Sequence, residues 1–165
     1  MRYLLYKKEY MEGADRDPDV QDFAPNPFRL FLTKETRSWK TALLRISLGL
    51  LTCWKTRIFY IESKDGKILH TSYVIPRCLK FPFMERGDFE IGPCQTIPEA
   101  RRKGLYVRVL NHITTDPRYQ KAAFYMIVRR NKRSSIGGID KAGFQWDGVV
   151  EKTSSLRGYH RIGGI

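Results

Sequence analysis

The spacing of apolar positions changes several times along the chain, and each change marks an element. From Thr41 to Trp54, the residues Leu43, Leu44, Ser47, Leu50, Leu51 and Trp54 recur at helical spacing, while Arg37, Lys40 and Arg45 fall on other faces. That spacing predicts an amphipathic helix. Its leucine face is expected to pack on a sheet, because it directly precedes a strand pattern and a lone domain of this size needs that cover. The other reading is a basic amphipathic helix on an anionic membrane, with Arg37, Lys40, Arg45, Lys55 and Arg57 at the headgroups. Ahead of it, residues 11–27 collect one Gly, four Asp and three Pro, which predicts an irregular connection.

The pattern then turns to strands. "RIFYIES" and "KDGKILHTSYVI" are apolar-rich runs joined by Lys-Asp-Gly-Lys, a hairpin signal. "CLKFPFM" either extends the second strand or bends away at Pro82, and "DFEIGPCQTI" predicts a third antiparallel strand with a bulge or an edge at Gly92-Pro93. "LYVRVLNHITT" returns to helical spacing and is stopped by Asp116-Pro117. "AAFYMIV" is a continuous apolar run, as in a strand buried on both faces. "SSIGGIDKAG" predicts a short helix capped by Ser134 or Ser135 and ended at Gly143, and "FQWDGVVEKT" a closing strand. The order is helix, three antiparallel strands, helix, strand, helix, strand, an α/β chain with a β-α-β unit in its second half.

Composition narrows this. At 165 residues, with 42% hydrophobic and 13% aromatic residues, the chain is expected to form a single domain (1–165) with a real core. Thirty basic against seventeen acidic residues leave a formal charge of +13, which favours phosphate-bearing or polyanionic partners without choosing among them. Cys53, Cys78 and Cys94 are odd in number and widely spaced, which points to a reducing, cytoplasmic compartment rather than a disulfide framework. His70, His112 and His160 have no metal-ligand spacing, and no metal is expected. The N-terminus lacks the pattern of a signal peptide. The 14-residue segment from Thr41 to Trp54, interrupted by Arg45, is too short for a transmembrane helix.

The candidate chemistry sits at "IPEARRKGLY", Ile97 to Tyr106, where three cations run into a glycine between a strand and a helix. A solvated basic turn is the plain reading. An anion site is the sharper one, because the first turn of a helix has unpaired N–H groups and a positive dipole end, and glycine lets phosphate approach the backbone.

These residues resemble the GNAT superfamily of acyl-CoA-dependent N-acetyltransferases. The family signature, Arg/Gln-x-x-Gly-x-Gly/Ala in a Pro-Glu-x-Arg-x-Lys-Gly context, is matched by Pro98-Glu99-Ala100-Arg101-Arg102-Lys103-Gly104-Leu105-Tyr106. A second block, "SSIGGIDKAGF", resembles the family's Ser/Ala-Ile-x-x-x-x-Lys-x-Gly-Phe through Lys141, Gly143 and Phe144. The likeness covers Phe89 to Lys152 best, and the phrasing "IGPCQTIPEARRKGLY" is similar to small GNAT proteins of bacterial surface-polysaccharide loci.

The resemblance implies a mixed, mostly antiparallel sheet of six or seven strands flanked by helices, with acetyl-CoA as cosubstrate. It places the CoA pyrophosphate on Arg101, Arg102, Lys103, Gly104, Leu105 and Tyr106, pantetheine along Gln95, Thr96 and Ile97, and a further contact at Asn131. Glu90, on the strand leading to the motif, corresponds to a glutamate that assists deprotonation of the acceptor amine in the histone-acetyltransferase branch. Its plain alternative is a strand-start carboxylate in a salt bridge. Three departures stand out. Tyr106 replaces the small residue that ends the signature, Ile139 stands where many members carry a tyrosine general acid, and the family's cofactor-contacting asparagine aligns with Lys132, with Asn131 one position early. The acceptor implied is a small-molecule amine, such as an amino sugar or a nucleotide-linked sugar, and the state of association stays open, a homodimer included. Two rival readings remain. One is a nucleic-acid-binding module using Arg101–Lys103 and Arg129–Arg133, although no nucleic acid is expected in the absence of a recognised motif. The other is a CoA-binding fold without catalysis.

Overall fold

A computed structural model describes residues 1–13, 16–28, 31, 39–78, 80–154 and 158–163. Arg37 and the side chain of Lys40, named above, lie outside the described residues. The strands are β1 (Arg2–Glu9), β2 (Val20–Phe23), β3 (Arg57–Glu62), β4 (Ile68–Pro76), β5 (Phe89–Thr96), β6 (Ala123–Val128), β7 (Gln145–Ser154) and β8 (Gly158–Gly163). The α-helices among the described residues are α1 (Trp39–Thr52), α2 (Leu105–Thr114) and α3 (Arg133–Lys141). One sheet runs β2-β3-β4-β5-β6-β1-β7-β8, and every neighbouring pair is antiparallel except β5 and β6.

The sheet therefore has eight strands, against an expectation of six or seven. The predicted hairpin is β3–β4, closed by a turn in which the Ser63 N–H donates to the Lys67 carbonyl at 2.8 Å. β5, β6 and β7 also form where the pattern placed them. The unforeseen strands are β1, β2 and β8. β1 lies between β6 and β7, so both of its edges are paired, and side chains on both faces are buried (Tyr3, Leu5 and Tyr6). A strand covered on both faces has no clean alternation to read. β2 falls in the Asp-rich segment expected to be irregular. Its aspartates latch it to the body: Asp22 pairs with Arg57 and Arg118, and Asp17 takes two hydrogen bonds from Arg108, at 2.6 and 2.8 Å.

Apolar side chains form one cluster on each face of the sheet. On the α2–α3 face, Phe59, Val74, Ile91 and Phe124 of the sheet pack with Val109, Leu110 and Ile113 of α2 and Ile139 of α3. On the α1 face lie Leu5, Leu48, Ile58, Tyr73, Ile75, Phe81, Tyr125 and Val150. α2 begins after Gly104 and ends before Asp116, as its spacing predicted. α3 starts after Lys132 with no side-chain cap, so Ser134 and Ser135 lie inside the helix rather than capping it.

α1 corrects the expected packing. Leu43 and Leu50 are 57% and 72% exposed, and Leu44 and Leu51 are also exposed. The helix buries Leu48 and Arg45 instead, with Arg45 only 3% exposed. The Arg45 guanidinium donates from Nε to the Tyr73 hydroxyl at 3.2 Å and lies 5.8 Å from the Phe23 ring centroid. An arginine that is hydrogen-bonded and stacked on aromatic rings can be buried, and the helix turned this way leaves its leucines outward.

Candidate active site

The site begins where two strands part. β5 and β6 pair in parallel at Phe89↔Phe124 and Glu90↔Tyr125, and no pair follows among the described residues. β5 stays with β4 beyond this point, but its register shifts between Ser72 and Val74, opposite Gly92-Pro93. The sequence had marked that dipeptide as a bulge or an edge. A bulge bends its strand and ends local pairing, while β6 remains held to β1. The facing edges of β5 and β6 therefore open into a V, with an adjoining cavity of about 380 Å³. An unpaired backbone edge offers donors and acceptors to an extended polar chain.

At the wide end of the V, beyond β5, stands the Arg101–Gly104 turn. Gly104 has φ +75° and precedes α2 with no side-chain cap. The first helical bond runs from the Arg108 N–H to the Gly104 carbonyl at 3.1 Å, and no partner among the described residues takes the N–H groups of Leu105, Tyr106 and Val107. Arg101, Arg102 and Lys103 are exposed around this turn, and Arg101 Nε donates to the Thr96 carbonyl at 3.4 Å. A Cβ built on Gly104 would meet nothing within 4 Å, so the turn faces open space. Free N–H groups, the dipole end and three cations make this end suited to an anion.

At the apex sits Glu90. It is buried, and desolvation pushes its carboxyl up to about 8, with Lys80 opposing the shift. The carboxylate folds over Gly92, where a Cβ would lie 2.6 Å from Oε1. A carboxyl with a pKa near working pH suits proton transfer. Cys94 also lines the cavity, but burial pushes its thiol up to about 12, which suppresses the thiolate a nucleophile needs. Behind the wall, His70 is fixed by Nδ1···Oγ1 of Thr96 at 2.7 Å and Nε2···Oγ of Ser72 at 2.8 Å. Burial lowers its pKa to about 4, so it is a neutral buttress of β5.

The structure thus brings Glu90 together with one wall of the V, the β5 run containing Gln95 and Thr96 with Ile97 just beyond it, and carries that wall into the Arg101–Tyr106 turn. Asn131 is exposed in the turn before α3, and no side-chain bond of the described residues holds it. Tyr106 packs its ring on Gly138 and lines the cavity, its hydroxyl 3.9 Å from the Met126 sulfur. Of the other titratable side chains on or near β4, β5 and β6, Tyr125 is buried in the core on the α1 face, Tyr73 is engaged by Arg45, and Glu85 is exposed. Sequence reasoning did not find Lys80, Phe81 and Tyr159, which line the cavity on the α1 face. Tyr159 comes from β8, and Lys80 is one of 30 cations, so neither carries a local signal. Among the described residues no group of three His, Cys, Asp or Glu side chains could hold a metal ion, and no helix is long and apolar enough to cross a membrane.

No family model matches the sequence, and no curated protein matches it. Solved structures do match the fold. An acetyltransferase of the GNAT family from Colwellia psychrerythraea superimposes with a TM-score of 0.63 at 18% identity, covering 88% of this chain and 52% of the other. A GNAT-family protein from Novosphingobium aromaticivorans gives 0.58 at 15% identity, over 90% and 61%. A GCN5-related N-acetyltransferase from Sphaerobacter thermophilus gives 0.52 at 9%, over 90% and 49%. The chain spans about half to three-fifths of the length of these structures. At such identities the likeness shows the fold, which is the mixed, mostly antiparallel GNAT arrangement.

Proposed function

We propose that this chain is an acetyl-CoA-dependent N-acetyltransferase that acetylates an amine by direct attack. The observation that carries the reading is the parting of β5 and β6 beyond Glu90↔Tyr125, on the wall that leads to the uncapped start of α2. The residues fit the cosubstrate. The N–H groups of Leu105, Tyr106 and Val107, with Arg101, Arg102 and Lys103 around them, suit a pyrophosphate. The open edge of β5 from Ile91 through Gln95 and Thr96, continued by Ile97, suits the amides of pantetheine, and exposed Asn131 in the turn before α3 is a further polar contact.

When bound, acetyl-CoA supplies a thioester carbonyl for attack. Glu90, at the apex, takes a proton from the acceptor nitrogen as the N–C bond forms; the C–S bond breaks and its electron pair leaves with sulfur. The suppressed thiolate of Cys94 speaks against an acyl-enzyme and favours direct transfer. Tyr106, kept protonated by burial, is a hydroxyl in the cavity where Ile139 offers none. The test is calorimetric titration with acetyl-CoA followed by thiol-release assays against amines. Binding and amine-dependent thiol release are expected; failure to bind acetyl-CoA would overturn the proposal.

A further inference from the structure

The cavity has two unlike sides. Tyr106, Ser135 and Ile139 face it from α2 and α3, on the side of the anion-binding turn. Leu44 and Leu48 of α1, Ile75 of β4, Phe81 and Tyr159 face it from the other. Phe81 and Tyr159 are stacked, with ring centroids 5.9 Å apart and planes 10° from parallel. Glu90 sits between the two sides, at the last β5–β6 pair, and its register partner Ile75 belongs to the α1 face. The α1 side is therefore the one from which a second substrate reaches Glu90 if the cosubstrate takes the other.

The side chains on that approach are two leucines, an isoleucine and two stacked rings, with Lys80 and Glu90 as its charges. Lys80 Nζ lies 5.6 and 6.0 Å from the Phe81 and Tyr159 ring centroids, over the pair. A sugar ring brings several hydroxyls that need hydrogen-bond partners once desolvated, and this wall provides few. An aliphatic or aromatic group gains by leaving water here. With its carboxyl pushed up to about 8, Glu90 is largely neutral at pH 7, so Lys80 is the charge an arriving substrate meets. It disfavours a cationic amine and leaves the free, nucleophilic form preferred.

We infer that the acceptor is a primary amine of modest basicity carried on an apolar, aliphatic or aromatic body, rather than an amino sugar. This rests on the acetyltransferase reading above, and the experiment separates the two. Acetyl-CoA affinity is measured first by calorimetry. Acetylation is then compared for L-phenylalaninamide, glycinamide and glucosamine, whose amines are of similar basicity, so that the body attached to the amine decides the ranking. The expected result is a kcat/KM for phenylalaninamide at least tenfold above both others. Leu44→Asn, at a partly exposed position, is expected to raise its KM several-fold while acetyl-CoA affinity, set on the opposite side, reports an intact fold. Equal or better use of glucosamine, no benefit from the benzyl group, or binding of acetyl-CoA with no transfer to any of the three would overturn the inference. Absence of acetyl-CoA binding would instead remove the reading beneath it.

Discussion

The ring of Tyr106 on α2 lies against Gly138 on α3 so closely that a Cβ on that glycine would sit 2.6 Å from Cδ1. Tyr106 is the residue at which the signature departs from its small final position, and Gly138 provides the missing room on the neighbouring helix. The ring thereby becomes part of the helix–helix contact and the cavity wall.

Gly138→Ala tests this pairing. Alanine favours a helix over glycine by about 1 kcal/mol, but crowding a packed ring costs about 1–3 kcal/mol. Denaturant unfolding should show net destabilisation with Tyr106 present and stabilisation in a Tyr106→Ala background. The same sign in both backgrounds would mean that the two residues do not compete for space.

Gly104 should matter through its backbone. At φ +75° an L-residue costs about 1–2 kcal/mol, while an added Cβ meets no neighbour. Gly104→Val is expected to weaken CoA binding about tenfold, or about 1.4 kcal/mol. Gly104→Asn should cost less, because Asn tolerates this conformation better. Calorimetry on both variants decides it; unchanged affinity in folded Gly104→Val would place the cofactor elsewhere.

Glu90 should set a pH limb. Its carboxyl acts as a base only when ionised, so turnover is expected to rise with pH through about 8. Glu90→Gln should lower kcat by about 10²–10⁴-fold and remove that limb, with acetyl-CoA affinity kept. A pH–rate profile unchanged by the substitution would assign proton removal to another group.

His70 should govern acid stability. Its folded-state pKa, about 4, lies below the ordinary 6.5, so in that interval the unfolded chain takes up a proton that the folded one does not. Its contribution is fully present above pH 6.5 and lost as pH falls towards 4, by roughly 3 kcal/mol. Stability measured across this window should fall in the parent protein and change less in His70→Gln.

The two faces of α1 give a further contrast. Leu48→Ala removes a buried side chain and should destabilise by about 2–5 kcal/mol. Leu50→Ala changes an exposed one and should stay within about 0.5 kcal/mol. A large loss at Leu50 would restore the leucine face to the core.

What the sequence determined by itself was whatever local chemistry decides. The Lys-Asp-Gly-Lys turn, the stop at Asp116-Pro117, the bulge at Gly92-Pro93 and the glycine before α2 each depend on a few adjacent residues, and each appears where it was read. The strand carrying Glu90, the Arg101–Gly104 turn and α2 were legible for the same reason, because they are consecutive in the chain. The tertiary structure alone decided the rest. β1 lies 114 residues from β6 at the Ala123↔Glu9 pair, and its place in the middle of the sheet follows from edges no local pattern records. α1 carries a leucine stripe whose spacing specifies a face but not the side turned inward; Tyr73 and Phe23, distant in sequence, capture Arg45 and leave the leucines in water. The wall of Phe81, Lys80 and Tyr159 is likewise assembled from a loop and the last strand. Its chemistry exists only once Gly158 lets β8 approach the Lys80 backbone, where a Cβ would sit 2.5 Å from the carbonyl oxygen.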